Sequence, residues 1–174
     1  MPSILFVCTA NRFRSPMAAA IFQKMLKEKG KLDGWKVESA GTWALAGLPV
    51  IPAAHQAAHR LGLNLSDHVT SQVSAAMFSE YDLILVMEAG HREALCTEFP
   101  SVRNKIHQLS NLIDNVNYDI PDPLINIDSS EDVIFELNDL IQRGFQKICD
   151  TAESLNRSHV RPTRKSNGDK KRSN

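Results

Sequence analysis

The sequence predicts an α/β protein, a single domain with a central four-stranded parallel sheet and helices on both faces. Two observations lead to this fold class. Short apolar segments alternate along the chain with longer segments whose apolar residues recur at helical spacing. Strands separated by helices form right-handed crossovers, which make the neighbouring strands parallel. A chain of 174 residues, 43% of them hydrophobic, can bury one core without metals or disulfides.

Each element rests on its own pattern. The first strand is a short run of β-forming apolar residues, the second alternates, and the third has the continuous apolar character of a buried parallel strand. The predicted strands span residues 3–7, 35–39, 82–87 and 105–109. The predicted helices span residues 16–29, 49–61, 88–99 and 129–154, and the last is long and amphipathic.

The charge distribution divides the chain into a domain, residues 1–156, and a basic tail, residues 157–174. The tail has seven Lys/Arg and one acid, which leaves 13 basic and 19 acidic residues in the domain. An acidic domain argues against nucleic-acid binding, which usually needs clustered positive charge on the folded surface. The tail is poor in apolar residues, so we expect it to be disordered. We expect a solubilising extension, with contact to anionic lipid, to nucleic acid or to an acidic partner as the alternative.

The N-terminal residues lack the basic start and apolar run of a signal peptide, and no segment has the roughly 18 apolar residues that a membrane span needs. We therefore expect a cytoplasmic protein. Cys8, Cys96 and Cys149 are too few and too widely spaced for a disulfide framework or a zinc site. His55 and His59 are four residues apart on a predicted helix, but without a third ligand we expect a solvated helix face.

The segment from Cys8 to Pro16 carries the strongest chemical signal. Five residues separate Cys8 from Arg14, and Ser15 and a helix-starting proline follow. A loop of this length between a strand and a helix can direct successive backbone N–H groups at one anion, and the helix dipole adds positive potential. The predicted phosphate loop uses the amides of Thr9, Ala10, Asn11, Arg12, Phe13, Arg14 and Ser15. Arg14 can bind two phosphate oxygens at once.

The same positive potential favours the thiolate form of Cys8, which makes this residue a candidate nucleophile. Ser15 is placed to donate a hydrogen bond to that thiolate. The alternative is a buried cysteine at a strand end beside a surface arginine.

A phosphoester leaving group needs a proton, and Asp122 is the best candidate to supply it. Asp122 lies between two prolines that hold the backbone extended, just before the last predicted helix. Its carboxyl group could protonate the leaving oxygen and then, as carboxylate, activate water. The alternative is an aspartate that serves only a turn beside proline.

These motifs resemble the low-molecular-weight protein tyrosine phosphatase family. The resemblance covers about residues 3–155 and rests on segments at that family's usual order and spacing: residues 8–16 after the first strand, 39–42, 62–68, 81–87 and 120–123. It implies Cys8 as nucleophile, Arg14 as phosphate clamp and Asp122 as general acid and base. It also implies that Asn11, Ser15, Ser39 and His68 support the phosphate loop by hydrogen bonds. No metal or other cofactor is implied, because backbone amides and Arg14 meet the phosphoryl charge.

Several residues depart from the family pattern. Phe13 replaces a second cysteine that often forms a protective disulfide with the nucleophile, and Ala10 replaces a usual glycine. Arg12 stands where tyrosine-directed members have an aliphatic residue and arginine-phosphate-directed members a threonine. Leu124 replaces an aromatic wall of the substrate site, and Trp43 is a candidate for the opposite wall or a core residue.

The leading hypothesis is a metal-independent protein-tyrosine-phosphatase that acts on a phosphorylated protein through phosphocysteine. Three alternatives remain: a phosphoarginine-directed phosphatase, an arsenate reductase, and a non-catalytic phosphate-binding module. Arsenate reduction needs two further cysteines in sequence, and only Cys96 lies in the corresponding region.

Overall fold

The computed structural model describes residues 1–125 and 130–160. Its sheet confirms the predicted fold class, because four strands are all parallel and lie in the order β2-β1-β3-β4. The strands are β1 (Ser3–Cys8), β2 (Lys36–Gly41), β3 (Leu83–Val86) and β4 (Ile106–Gln108).

Six α-helices surround the sheet in the described part of the chain. They are α1 (Arg14–Glu28), α2 (Pro52–Arg60), α3 (Ala75–Glu80), α4 (Ala89–Glu98), α5 (Leu109–Asp114) and α6 (Ser130–Val160). Helices α3 and α5 have six residues each, too few for an apolar period to stand out in the sequence. Two 3₁₀ turns, Leu32–Gly34 and Pro100–Lys105, precede β2 and β4.

Alternation along β1 divides the core into two layers. Ile4 and Phe6 belong to one buried cluster, and Leu5 and Val7 belong to the other. Successive side chains of a strand point to opposite faces, so the clusters lie on opposite sides of the sheet. The first cluster is covered by α1, α2 and α6, and the second by α3 and α4. Both faces are therefore buried, as a parallel sheet requires.

The last helix extends further than the sequence predicts. It continues through Val160, four residues into the segment assigned to the basic tail, while residues 161–174 lie outside the described residues. Hydrogen bonds hold its last turns to the body: the Asn156 side chain donates to Asp82 at 3.0 Å and to the Met1 carbonyl at 3.3 Å. Such contacts join distant parts of the chain and leave no periodic signal in the sequence.

The strand order places the predicted loop at a reversal of chain direction within the sheet. β1 lies between β2 and β3, so the connection after β1 leads to one side and the connection after β2 crosses to the other. Ligands of open α/β sheets bind at such switch points, beyond the carboxyl ends of the strands.

Among residues 1–125 and 130–160, no helix combines the length and apolar character needed to cross a membrane.

Candidate active site

The loop that follows β1 packs closely against the segment that follows β2. The Thr42 and Trp43 amides donate to the Cys8 and Thr9 carbonyls at 2.8 and 2.9 Å. This approach requires glycine at position 41, because a Cβ there would overlap the Thr9 carbonyl oxygen and lie 3.0 Å from the Asn11 nitrogen. Gly41 thus lets the two chain segments touch, which fixes the outer side of the loop.

Asn11 holds the loop in its unusual shape. Its φ of 56° lies in the left-handed region, which an asparagine enters more easily than most residues. The buried Asn11 side chain donates to Ser15 Oγ and Ser39 Oγ, both at 2.9 Å, and accepts from the Ser71 amide at 2.9 Å. His68 Nε2 lies 2.9 Å from the Asn11 carbonyl. The structure therefore brings together all four residues expected to support the loop.

His68 acts in this network as a neutral donor. Burial lowers its pKa, against the opposing effect of the hydrogen bond to the Asn11 carbonyl. A carbonyl only accepts, so the ring proton must be on Nε2. The contact between His68 and Asn11 thus needs no charge on the imidazole.

Cys8 lies at the bottom of the loop, 3% exposed, with its Sγ 3.0 Å from Ser15 Oγ. Ser15 Oγ also lies within donating distance, 3.1 Å, of the Ala40 carbonyl. The serine has one proton, so a Cys8 thiol donates to Ser15 while Ser15 donates to Ala40. A Cys8 thiolate can instead accept a hydrogen bond from the Ser15 hydroxyl, which stabilises the negative charge on sulfur.

Arg14 is 1% exposed and its guanidinium is enclosed by oxygen acceptors. Nη1 donates to the Ile120 carbonyl at 2.8 Å and to the Glu88 carboxylate. Nη2 donates to Asp122 Oδ2 at 2.6 Å and to Thr9 Oγ1 at 3.3 Å. A buried charge needs such partners, since an unpaired one is strongly destabilising. Two carboxylates thus compete for the cation that the sequence assigns to phosphate.

The loop that carries Asp122 is anchored beside the end of β3. The Ile120 amide donates to the Met87 carbonyl at 2.9 Å, which leads the chain past Arg14. The Leu124 amide donates to Asp122 Oδ1 at 3.0 Å and orients the carboxyl group. Asp122 contacts Arg14, and Cys8 contacts Ser15. Two residues that are 114 positions apart in the sequence therefore both contact the first turn of α1.

The departures from the family pattern have structural explanations. Ala10 is tolerated because only Asn11 and Asn115 among the described non-glycine residues have positive φ. Phe13 is 1% exposed and packs in the first core cluster, which explains an apolar residue there. Arg12 Nε donates to the Pro49 carbonyl at 3.0 Å.

The two candidate wall residues are exposed beside the loop. Trp43 is 82% exposed, so its interpretation as a core residue is wrong, and its amide is bonded to the Thr9 carbonyl. Leu124 is 43% exposed and its amide is bonded to Asp122. The backbone of each residue is thus hydrogen-bonded to a residue of the site.

Two residues of the site were not singled out from the sequence as active-site residues. Glu88 contacts Arg14, and His91 Nε2 lies 2.9 Å from Thr9 Oγ1. Both lie within five residues of the end of β3, whose carboxyl end lies beside that of β1. Polar residues after a predicted buried strand are a signal that could have indicated them.

The histidines four residues apart on α2 are exposed, as expected for a solvated helix face, and His55 lies 3.4 Å from Ser66 Oγ. Within the described ranges, no group of three or more His, Cys, Asp or Glu side chains is arranged to hold a metal ion.

Cys8 at the end of the first strand and Arg14 at the start of the first helix flank one loop of a parallel sheet, which is the arrangement of cysteine-dependent phosphatases. The profile of the family described as low molecular weight phosphotyrosine protein phosphatase matches residues 3–162. The chain belongs to this family, which confirms the resemblance seen in the sequence.

Proteins similar to this chain include both tyrosine phosphatases and an arginine phosphatase. The low molecular weight protein-tyrosine-phosphatase Wzb of Escherichia coli K12 is 40% identical over 121 residues, 70% of this chain and 77% of Wzb. The crystal structure of the tyrosine phosphatase Wzb from Escherichia coli K30 with sulphate superposes with a TM-score of 0.74 at 31% identity, covering 85% of this chain and 99% of Wzb. The YwlE arginine phosphatase from Geobacillus stearothermophilus has a TM-score of 0.74 at 28% identity, covering 93% and 99% of the two chains.

Proposed function

We propose that the protein hydrolyses phosphotyrosine in protein substrates through a phosphocysteine intermediate on Cys8. The observation that carries this proposal is the convergence of three groups. Cys8 Sγ lies 3.0 Å from Ser15 Oγ, and Arg14, at the start of the same helix, is bonded to Asp122 at 2.6 Å. A nucleophile, a phosphate-binding cation and a proton donor are the parts that such a reaction needs.

In the first step, the substrate phosphate enters the loop and accepts hydrogen bonds from the backbone amides of residues 9–15 and from the Arg14 guanidinium. The Cys8 thiolate attacks phosphorus, a sulfur–phosphorus bond forms, and the bond from phosphorus to the phenolic oxygen breaks. Asp122 in its acid form transfers its proton to that leaving oxygen, so the product is a neutral phenol. This step requires Asp122 to leave its contact with Arg14.

In the second step, water attacks the phosphorus atom and transfers a proton to the Asp122 carboxylate. The sulfur–phosphorus bond breaks, Cys8 leaves as thiolate, and inorganic phosphate is released. The Ser15 hydroxyl, 3.0 Å from Sγ, stabilises this leaving sulfur by donating a hydrogen bond to it. The same carboxyl group thus acts as acid in the first half of the reaction and as base in the second.

The exposed apolar side chains support an aromatic substrate. The backbone of Trp43 is bonded to Thr9 and that of Leu124 to Asp122, so both exposed residues lie beside the loop, where a phenol ring could pack against them. Phosphotyrosine is long enough to present its phosphate at the bottom of a loop where Cys8 is buried. In this proposal Trp43 and Leu124 form the two walls of the substrate site.

Phosphoarginine is a second candidate substrate class. The arginine phosphatase from Geobacillus stearothermophilus shares the fold and covers nearly all of this chain. The Glu88 and Asp122 carboxylates beside Arg14 would also favour a cationic guanidinium leaving group over a neutral phenol. Arg12 Nε is bonded to the Pro49 carbonyl, and this contact does not distinguish the two substrate classes.

The cysteine positions argue against arsenate reduction. Cys8 and Cys149 belong to the core cluster on one face of the sheet, and Cys96 packs against the cluster on the other face. Cys8 and Cys96 thus belong to opposite faces of the sheet, which disfavours a relay of disulfides between them. A non-catalytic phosphate-binding module is disfavoured because Asp122 reaches Arg14.

We further propose that the enzyme acts in the cytoplasm, on phosphorylated proteins, and that residues 1–156 form the catalytic domain. The basic residues from 157 onward are then an accessory extension of that domain. The acidic balance of residues 1–156 fits a protein substrate better than a nucleic acid.

The experiment that tests this function is phosphate release from phosphotyrosine, phosphoserine and phosphoarginine peptides, with a chelator present. We expect release from phosphotyrosine above the other two, and none from the Cys8→Ser variant. Preference for phosphoarginine would replace the substrate class and keep the mechanism. Phosphate release by Cys8→Ser equal to that of the wild type would overturn the mechanism.

A further inference from the structure

His91 lies against the proposed phosphate loop from the side opposite to the loop's supporting asparagine. It belongs to the first turn of α4 and is only 7% exposed. Its Nε2 lies 2.9 Å from Thr9 Oγ1, whereas its Nδ1 is buried without a hydrogen-bond partner among the residues the structure describes. Buried polar groups rarely lack hydrogen-bond partners, so the single polar contact of this imidazole, with Thr9, calls for an explanation.

The hydrogen bonds at Thr9 connect His91 to Arg14. Thr9 Oγ1 accepts a hydrogen bond from Arg14 Nη2 at 3.3 Å, in addition to its contact with His91. An unpaired buried N–H is rarer than an unpaired acceptor, which favours the imidazole proton on Nε2 and leaves Nδ1 as a bare acceptor. His91 then donates to Thr9 Oγ1 and holds the hydroxyl oxygen toward Arg14.

The surroundings favour a neutral His91. Burial is the largest effect on its pKa and lowers it, Arg14 acts in the same direction, and the carboxylates of Glu88, Asp122 and Asp119 oppose it. Glu88 Oε1 is 3.9 Å from His91 Nε2, and the Asp122 and Asp119 carboxylates face the same region from the neighbouring loop. A neutral imidazole keeps its hydrogen bond to Thr9 without adding a second cation beside Arg14.

The contact with Thr9 gains importance once substrate is bound, given the proposed function. Asp122 must then leave Arg14 Nη2 to reach the leaving oxygen, which removes the shorter of the two contacts of that nitrogen. Thr9 Oγ1 remains as the protein acceptor of Nη2. The orientation of the guanidinium plane toward phosphate then depends on the Thr9 hydroxyl at Nη2, together with the Nη1 contacts to Ile120 and Glu88.

We propose that His91 is a positioning residue, which fixes the Thr9 hydroxyl through Nε2 and thereby orients Arg14 for binding phosphate. This proposal rests on the proposed function for its role in catalysis, but it applies to phosphate binding even without turnover. His91 itself does not touch the substrate.

The test compares the equilibrium affinity for inorganic phosphate, by calorimetry, of the full-length wild type with that of three variants: His91→Leu, Thr9→Val and the double variant. We expect each single variant to weaken phosphate binding by about threefold to tenfold, the effect of one hydrogen bond. The double variant should be no weaker than either single variant, because both remove the same chain of contacts. Multiplied effects would show that His91 acts independently of Thr9 and would overturn the proposal.

His91→Gln separates positioning from packing, since its terminal amide can donate near the position of Nε2. We expect it to restore most of the affinity lost in His91→Leu, whereas an affinity as weak as that of His91→Leu would contradict the proposal. His59→Leu, at an exposed position of α2, is the matched control and should bind phosphate as the wild type does. An unchanged affinity in His91→Leu would also overturn the proposal.

The outcomes distinguish this proposal from the proposed function. Phosphate binding that follows the expected pattern, without Cys8-dependent turnover, would overturn the function alone. Normal turnover with multiplied effects in the double variant would overturn the role of His91 alone. A wild type that binds no phosphate would overturn both.

Discussion

Arg14 Nη2 and Asp122 Oδ2 are 2.6 Å apart, so the proposed phosphate clamp and the proposed proton donor are bonded to each other. Both groups are largely buried, with side-chain exposures of 1% and 13%. A phosphate that binds Arg14 through Nη2 must therefore replace the Asp122 carboxylate. The exchange releases the carboxyl group that the leaving oxygen needs, which couples phosphate binding to the supply of the proton.

The first prediction concerns Asp122→Asn. We expect turnover to fall by about 10²- to 10⁴-fold for phenols that are poor leaving groups and much less for good ones, because only the former need a proton. Inorganic phosphate should bind at least as tightly as to the wild type, since no carboxylate competes for Nη2. The measurements are kcat over a series of aryl phosphates and competitive inhibition by phosphate.

Glu88→Gln is the matched control for the Asp122 variant. It also removes a carboxylate from Arg14, but from Nη1, and the proposed mechanism gives Glu88 no proton transfer. We expect its turnover to keep the wild-type dependence on the leaving group. If the turnover of Asp122→Asn and that of Glu88→Gln depended equally on the leaving group, neither residue could be assigned as the proton donor.

The second prediction concerns the close approach at Gly41. In Gly41→Ala the added methyl group overlaps the Thr9 carbonyl, so the phosphate loop must shift. We expect kcat/KM to fall at least about tenfold and the free energy of unfolding to fall by about 1–3 kcal/mol. Gly34→Ala, where a Cβ meets no atom within 4 Å, should change neither quantity to that extent. Wild-type activity in Gly41→Ala would show that the loop is not held by this contact.

The third prediction separates the side chain of Asn11 from its backbone conformation. Asn11→Gly keeps the positive φ accessible but removes three side-chain hydrogen bonds, to Ser15, Ser39 and Ser71. We expect both this variant and Asn11→Ala to lose activity, with Asn11→Ala the less stable of the two by about 1 kcal/mol, since alanine resists positive φ. Urea unfolding and kcat/KM measure the two effects. Equal stability would mean that φ is relaxed in the variants.

The fourth prediction concerns stability in weak acid. Burial is the main effect on the pKa of His68, His91 and His107 in the folded protein. It lowers each pKa below the value of 6.5 that a histidine has when unfolded. The unfolded chain therefore binds more protons as the pH falls below 6.5, and the free energy of unfolding decreases. Urea unfolding at about pH 7 and about pH 5.5 measures the change. In His107→Gln the decrease should be smaller, and an unchanged or larger one would contradict this cause.

The phosphate loop could be predicted from the sequence because its parts are contiguous. Strand, cysteine, arginine and helix follow each other within 16 residues, and each type of residue has one physical use there. Asp122 was predicted from its prolines and from the chemistry that required an acid. The exposure of Trp43 was not decided, because a single tryptophan after a strand fits a core or a surface position equally well.

Other contacts could not be predicted because they depend on packing between distant segments. Glu88 and His91 contact the residues around the loop only because β3 lies beside β1. Local sequence patterns do not determine the order of strands in a sheet. The need for glycine at position 41 arises because Thr9, which follows β1, approaches the end of the neighbouring strand β2.

The central claim is that phosphoryl transfer passes through sulfur, and rapid acid quench tests it most directly. Asp122→Ala should lose the base that activates water, so an aryl phosphate with a good leaving group should phosphorylate this variant faster than the phosphoenzyme is hydrolysed. Mass spectrometry of peptides from the quenched protein should then locate the phosphoryl group on Cys8. A burst of phenol without any phosphorylated peptide, or with the phosphoryl group on another residue, would contradict the mechanism.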